Sequence, residues 1–155
     1  MDTTAKKKIL FLCHGNICRS PMAEFVMKEL VRRAGRDDIE VASAALHTDE
    51  LGNDIHRGTR AKLAEKGVPF SRRAAWLLDA ATAHGYDLLV GMDAYNDADL
   101  RRLVYPEDRV KVRKLLSFAG SARDIADPWY TGNFDETYDD VLEGCTALLS
   151  SIVAG

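Results

Sequence analysis

The stretch Cys13-His14-Gly15-Asn16-Ile17-Cys18-Arg19-Ser20 limits the possible fold more than any other part of the chain. It follows directly on an apolar run, Ile9-Leu10-Phe11-Leu12. Residues 7–12 are short and apolar enough for a buried parallel strand. Beyond the stretch, Met22, Phe25, Val26 and Leu30 recur at helical spacing. Ser20 is the expected cap of that helix, Pro21 suits its first position, and Gly35 ends it. The order is therefore strand, tight loop, helix, with a thiol at the end of the strand. Five residues separate Cys13 from Arg19, enough to curl until backbone N–H groups converge on one anion. Arg19 would close the ring as a planar fork matched to two oxygens of a phosphate. A thiol at the floor of such a nest lies among positive ends, which favour its thiolate. The opening of the helix and the Ser20 hydroxyl act in the same direction. A cradle for an oxyanion with a nucleophile at its base implies phosphoryl transfer through a cysteine.

The rest of the chain alternates strands with helices. Ile39–Ser43 reads as a strand, 55–66 as a helix closed by Gly67, and Ala74–His84 as a helix stopped by Gly85. Tyr86–Met92 reads as another strand, and Asp93 as the cap of a helix over about 94–104. Val110–Leu115 reads as a fourth strand, nearer an edge because Lys111 and Arg113 alternate outward. Val141, Leu142, Cys145, Leu148, Leu149 and Ile152 form the apolar stripe of a closing helix. This predicts an α/β fold of three layers, a central four-stranded parallel sheet with helices on both faces. Ligands bind such sheets at the carboxyl ends of the strands, where Cys13 lies. With no repeat, low-complexity tract or Pro/Gly/Ser linker, the 155 residues read as a single domain, 1–155.

Several functional classes are disfavoured. A net charge of −3 is wrong for a nucleic-acid binder. Lys6-Lys7-Lys8 is the longest basic run and reads as a solvated lead-in to the first strand. No apolar stretch approaches the roughly 20 residues a membrane span needs. Residues 1–8 lack the apolar core of a signal peptide. The three cysteines are too few for a disulfide scaffold, so a reducing, cytoplasmic setting is expected. Cys145 lies on the apolar stripe and reads as core. His47, His56 and His84 have no metal-ligand spacing and read as ordinary surface histidines.

A thiolate attacking a phosphate monoester meets a near-dianion, and the amides and Arg19 must offset that repulsion. Attack would leave a phosphocysteine for water to hydrolyse. The leaving oxygen needs a proton, for which a carboxylic acid on a separate loop is the usual source. Asp127-Pro128-Trp129-Tyr130 is the best candidate. Pro128 holds Asp127 extended and stiffens the loop. Trp129 and Tyr130 can wall an aryl substrate. An adjacent dianion favours the protonated acid that the first step requires.

On these residues the chain resembles the low-molecular-weight protein tyrosine phosphatase family over nearly its whole length. The resemblance rests on Cys13 through Glu24, on Ser43-Ala44-Ala45, on Met92-Asp93 and on Asp127-Pro128-Trp129-Tyr130. It implies Cys13 as nucleophile, Arg19 as phosphate binder and Asp127 as general acid and then base. His14, Gly15, Asn16, Ile17, Cys18 and Ser20 would surround the phosphate, with Trp129 and Tyr130 against the aryl group. Ser20 would hydrogen-bond the thiolate, and Asn16 would hold the loop's strained shape with help from Ser43. Cys18 matches the family's second cysteine, which can form a reversible disulfide with the nucleophile and protect it from further oxidation. No metal or organic cofactor is implied. The implied partners are phosphotyrosyl proteins or small aryl phosphates, with a cognate tyrosine kinase opposing the enzyme and the chain acting as a monomer.

Some positions depart from the family pattern. Arg72 stands where many members carry a histidine that supports Asn16. Asp49 stands where many eukaryotic members place an aromatic residue on the cleft rim, and it adds negative charge there. His14 lies at a variable loop position and is expected to face the leaving group. Arsenate reductases of this fold need two further cysteines, and only Cys145 remains. Arginine phosphatases of this fold carry a threonine where this chain has Ile17, which favours a tyrosine-type site. A phosphate-binding or redox-sensing module without turnover would need neither the thiol nor the acid.

Overall fold

In a computed structural model, residues 6–154 are described. Residues 1–5 and Gly155, which the sequence reading placed in the same domain, lie outside them. Four parallel strands form one sheet in the order β2-β1-β3-β4. They are β1 (Lys7–Cys13), β2 (Ile39–Ala45), β3 (Leu88–Gly91) and β4 (Val112–Lys114). The helices are α1 (Arg19–Arg33), α2 (Arg57–Glu65), α3 (Ala80–His84), α4 (Ala94–Leu103), α5 (Pro128–Thr131) and α6 (Phe134–Ala154).

Strand β1 explains the layering. Its side chains alternate across the sheet, so Ile9 and Phe11 enter one core while Leu10 and Leu12 enter the other. All four are fully buried, each contributing about 1.5–3 kcal/mol of burial. The first core holds Met22, Phe25, Val26 and Val31 of α1 and Val141, Cys145 and Leu148 of α6. The second holds Ala83 of α3 and Leu100 of α4. Helices therefore cover both faces, as the alternating pattern predicts.

The strand order reverses between β1 and β3, and the carboxyl ends of those two strands carry Cys13 and the Met92-Asp93 pair. A crevice is expected at such a switch point. Asp93 caps α4 as read from the sequence, with Oδ1 accepting the Asn96 N–H at 2.8 Å.

Three local expectations change. The helix read over Ala74–His84 is confined to Ala80–His84, with Asp79 as its cap. The residues before it run beside the end of β2: the Ala45 N–H donates to Trp76 O at 2.7 Å, and Leu78 N–H to Ala45 O at 3.0 Å. Bonds to the open edge of β2 outweigh a local helix preference there. The strand read over Val110–Leu115 shortens to Val112–Lys114, because Pro106–Lys111 forms a 3-10 turn. It is an edge strand, as expected. The closing helix starts at Phe134, earlier than its apolar stripe, because Asn133 Oδ1 accepts the Glu136 N–H at 3.0 Å and acidic residues fill the first turn. Among the described residues no helix is long and apolar enough to cross a membrane.

Helix α6 packs through Gly144 on the 3-10 turn Leu115–Ala119 that follows β4. A Cβ there would stand 2.4 Å from Leu115 Cγ, and Leu115 is fully buried. Glycine costs about 1 kcal/mol of helix propensity relative to alanine, but the clash outweighs that gain. Gly144→Ala should therefore lower the unfolding free energy by about 1–3 kcal/mol. Denaturant unfolding measures this, and a stabilised variant would contradict the close packing of α6 on Leu115.

Candidate active site

Residues 13–19 curl between β1 and α1 with their carbonyls engaged outward. Cys13 O accepts from Leu46 N–H at 3.1 Å, His14 O from His47 N–H at 3.0 Å and Ile17 O from His56 N–H at 2.8 Å. Asn16 O accepts from Arg73 Nη2 at 2.6 Å and Cys18 O from Thr59 Oγ1 at 3.1 Å. The amides of residues 14–18, by contrast, find no backbone acceptor among the described residues. A loop with its carbonyls tied back and its amides free is an anion nest. Asn16 makes the reversal with φ 60°, the one non-glycine positive φ among the described residues. Asparagine tolerates that left-handed region better than most side chains.

A buried polar network fixes the loop, and donor capacity orients the Asn16 amide within it. Arg73 can only donate, and it donates to Asn16 Oδ1. Asn16 Nδ2 then donates to Ser20 Oγ at 2.7 Å and to Ser43 Oγ at 2.9 Å. Ser43 Oγ donates in turn to Glu24 Oε1 at 2.6 Å. Ser20 Oγ accepts from Asn16, lies 3.1 Å from Cys13 Sγ, and keeps its own proton to donate to a thiolate there. The Ser20 backbone N–H approaches the same sulfur at 3.4 Å. Ser20 is thus inside the helix rather than its cap. Cys18 occupies the cap position without a side-chain bond, because the hydroxyl is committed to the thiol and to Asn16.

Arg19 is 3% exposed. Its Nη1 donates to Asp93 Oδ2 at 2.7 Å and to Ile125 O at 2.9 Å, and its Nη2 lies 3.5 Å from Asp127 Oδ2. Its Nε is buried and has no partner among the described residues. Burial alone would lower the guanidinium pKa, but the Cys13 sulfur, Asp93 and Asp127 around it raise it above the ordinary arginine value. Asp127 caps α5, with Oδ1 accepting the Trp129 N–H at 3.0 Å.

These groups line a cleft of about 640 Å³. Cys13, His14, Gly15, Ile17, Cys18, Arg19, Asp127, Trp129 and Tyr130 all border it. Asn16, Ser20 and Ser43 do not; they lie behind the loop as its support, fully buried or nearly so. Trp129 and Tyr130 are exposed, at 57% and 84%. All three cysteines are free thiols. Burial, reinforced by Cys13 and Asp127 and opposed by Arg19, pushes the Cys18 thiol up to about 12. Among the described residues no three His, Cys, Asp or Glu side chains converge as metal ligands would.

The support for Asn16 comes from Arg73, not Arg72. Arg72 is 93% exposed and reaches only Asp54, at 3.8 Å. Half-buried Arg73 supplies the donor, burial pulling its guanidinium below the usual arginine range. Sequence reasoning also missed Glu24, whose role appears only when α1 crosses β2, and Asp93 as the anchor of Arg19. The histidines are not all plain surface groups. His47 lies against His14 with ring centroids 4.2 Å apart, and the two bond Asp99 and Asp49. His56 caps α2 and stacks on Phe134 with its edge towards Trp129. Only His84, paired with Asp108, is remote from the cleft.

Comparison with known proteins agrees with this geometry. The sequence model of the family described as "Low molecular weight phosphotyrosine protein phosphatase" matches residues 8–154. The low molecular weight protein-tyrosine-phosphatase YfkJ of Bacillus subtilis is 35% identical over 147 residues, covering 93% of this chain and 94% of its own. PtpA of Staphylococcus aureus, which carries the same description, is 36% identical over 146 residues, covering 94% and 93%. The crystal structure of YfkJ superposes with a TM-score of 0.93 at 33% identity, covering 99% of this chain and 98% of that one.

Arg73→Ala should leave Asn16 Oδ1 without its donor and cost about 1–3 kcal/mol of stability. Arg72→Ala should fall within about 0.5 kcal/mol of the parent protein. Denaturant unfolding of the two variants checks the assignment, and the reverse order would return the supporting role to Arg72.

Proposed function

The chain belongs to the low molecular weight phosphotyrosine protein phosphatase family, and from that premise we propose that it hydrolyses phosphotyrosine through a phosphocysteine on Cys13, with Asp127 as the acid. The observation that carries this reading is the unpartnered Nε of buried Arg19, in the same cleft as the Cys13 sulfur. A buried donor left unpaired costs about 1–3 kcal/mol, and a phosphate oxygen is the partner that repays it.

The reaction proceeds in two displacements. The Cys13 thiolate attacks phosphorus, the S–P bond forms, and the P–O bond to the tyrosine breaks. Asp127 gives its proton to the departing phenoxide, so tyrosine leaves neutral. Water then attacks the phosphocysteine, Asp127 takes one of its protons, and inorganic phosphate and the thiolate are released. The free amides of 14–18 and Arg19 hold the equatorial oxygens, where charge is spread in the transition state. The Ser20 hydroxyl and N–H contacts to Sγ support the thiolate as both nucleophile and leaving group. His14, Gly15, Ile17 and Cys18 line the phosphate end of the cleft, and Trp129 and Tyr130 receive the ring.

The opposing partner is then a tyrosine kinase, the class of enzyme that must supply this substrate. Cys13, Arg19 and Asp127 converge within one chain, and we read the catalyst as a monomer. The one sheet and the match over 8–154 support reading residues 1–155 as one phosphatase domain. Cys18, in the nucleophile's own loop and on the same cleft, is the residue we assign to reversible disulfide protection of Cys13.

Cys13→Ser should abolish hydrolysis of p-nitrophenyl phosphate; turnover surviving that change would refute the assignment. Asp127→Ala should lower turnover by about 10²–10⁴-fold for substrates with poor leaving groups. The loss should be smaller for p-nitrophenyl phosphate, whose phenoxide departs without help. Equal losses across leaving groups would remove Asp127 from the acid role.

A further inference from the structure

The charge around the mouth of the cleft is one-sided. Asp49, Glu50 and Asp99 border the cleft, whereas Arg19 is the one lysine or arginine that does, and it lies at the floor. Arg19 is already held by Asp93 and Asp127. Asp49 is exposed, and its bond to His14 holds its carboxyl below the usual range, so it stays charged. Asp99 bonds His47 and the outward-facing Arg102. Glu50 has no cationic partner among the described residues; it accepts only from Asn53 Nδ2, at 3.1 Å. Its stem packs on the loop, where a Cβ built on Gly15 would stand 3.1 Å from Glu50 Cγ. The carboxylate is therefore held near the anion nest instead of swinging away.

Such a rim repels the flanks of an acidic phosphopeptide while the nest draws in its phosphate. The same rim carries aromatic faces. Tyr95, at the start of α4, is 83% exposed and borders the cleft together with Trp129 and Tyr130. Exposed aromatic faces beside carboxylates, of which Glu50 has no cationic partner among the described residues, form a surface for a cation, since ammonium and guanidinium groups are attracted to both. The unpartnered Arg19 Nε independently marks the floor as the seat of an anion. A phosphorylated tyrosine seated there brings its sequence neighbours to this rim.

We propose that the mouth of the cleft selects phosphotyrosines flanked by lysine or arginine, which Asp49, Glu50 and Asp99 attract and the faces of Tyr95, Trp129 and Tyr130 receive. This rests on the phosphatase reading and adds the class of substrate to it. Rim charges act through partly screened pairs, so the preference is several-fold and declines with salt.

The test compares three phosphotyrosyl peptides of equal length, with lysine, alanine or glutamate on both sides of the tyrosine, at pH 7.5. p-Nitrophenyl phosphate serves as the flank-free reference. At low ionic strength kcat/KM should be about five- to tenfold higher for the lysine peptide than for the glutamate peptide. The gap should narrow to about twofold at high salt. Glu50→Gln should reduce the ratio and Glu50→Lys should reduce it further, while Tyr95→Ala should weaken the lysine peptide more than the alanine one. Hydrolysis of p-nitrophenyl phosphate with the peptides cleaved alike, or with glutamate preferred, would overturn the rim proposal and leave the phosphatase reading standing. Failure to hydrolyse p-nitrophenyl phosphate at all would overturn both.

Discussion

A guanidinium buried inside the protein with one of its donors left unpaired is the constraint on which the rest depends. The protein surrounds Arg19 with three acceptors, Asp93, Ile125 O and Asp127, and the described residues add no fourth. They engage Nη1 and Nη2 and leave Nε without a partner. Buried polar groups are almost always paired, and in the proposed reading a phosphate oxygen is the partner that Nε awaits. The carboxylates that hold Arg19 also set its orientation: Asp93 comes from the end of β3 and Asp127 from the start of α5. The switch point of the sheet thus fixes the geometry of the arginine.

The loop is expensive to hold in isolation. Asn16 sits in the left-handed region, at a cost of about 1–2 kcal/mol for an L-residue. A run of amides is left without backbone partners. The two packed cores on either side of β1 offset this, and the Arg73–Asn16–Ser20 and Ser43–Glu24 links pin the strained residue from behind. The same links orient a proton. Because Arg73 can only donate, the Asn16 amide is oriented to donate to both serines, and the Ser20 hydroxyl keeps its proton for a thiolate at Cys13. The sulfur's environment is therefore a consequence of packing at α1 and β2, some distance from the mouth of the cleft.

Sequence reading reached the parts of this arrangement that are local. The run from Ile9 to Ser20 carries strand period, loop and helix signals in consecutive residues, so the nest and its arginine were legible. Asp127 stood out through the Asp127-Pro128-Trp129-Tyr130 run and the family resemblance that run carries; by itself it is one of many acidic turn residues. The α/β architecture followed from the alternation of short apolar runs with helical stripes. What remained hidden depends on contacts between distant segments. Residues 74–79 read as helical because the edge of β2 that claims them is far away in the chain. Arg72 and Arg73 are equivalent on paper, and only the path of the backbone decides that Arg73 turns inward. Glu24 and Glu50 are two of many acidic residues until α1 and the loop after β2 are set against the nest. His14 and His47 are far apart in sequence and stack only because the β1 and β2 ends are neighbours.

The central claim is that the unpaired Arg19 Nε and the Cys13 sulfur together receive one tetrahedral phosphorus. A crystal structure with orthovanadate tests it most directly. The account predicts vanadium within bonding distance of Cys13 Sγ, with equatorial oxygens hydrogen-bonded to Arg19 Nε and to amides of residues 14–18. An oxyanion seated elsewhere, with Nε still unpaired and the sulfur turned away from it, would contradict the account.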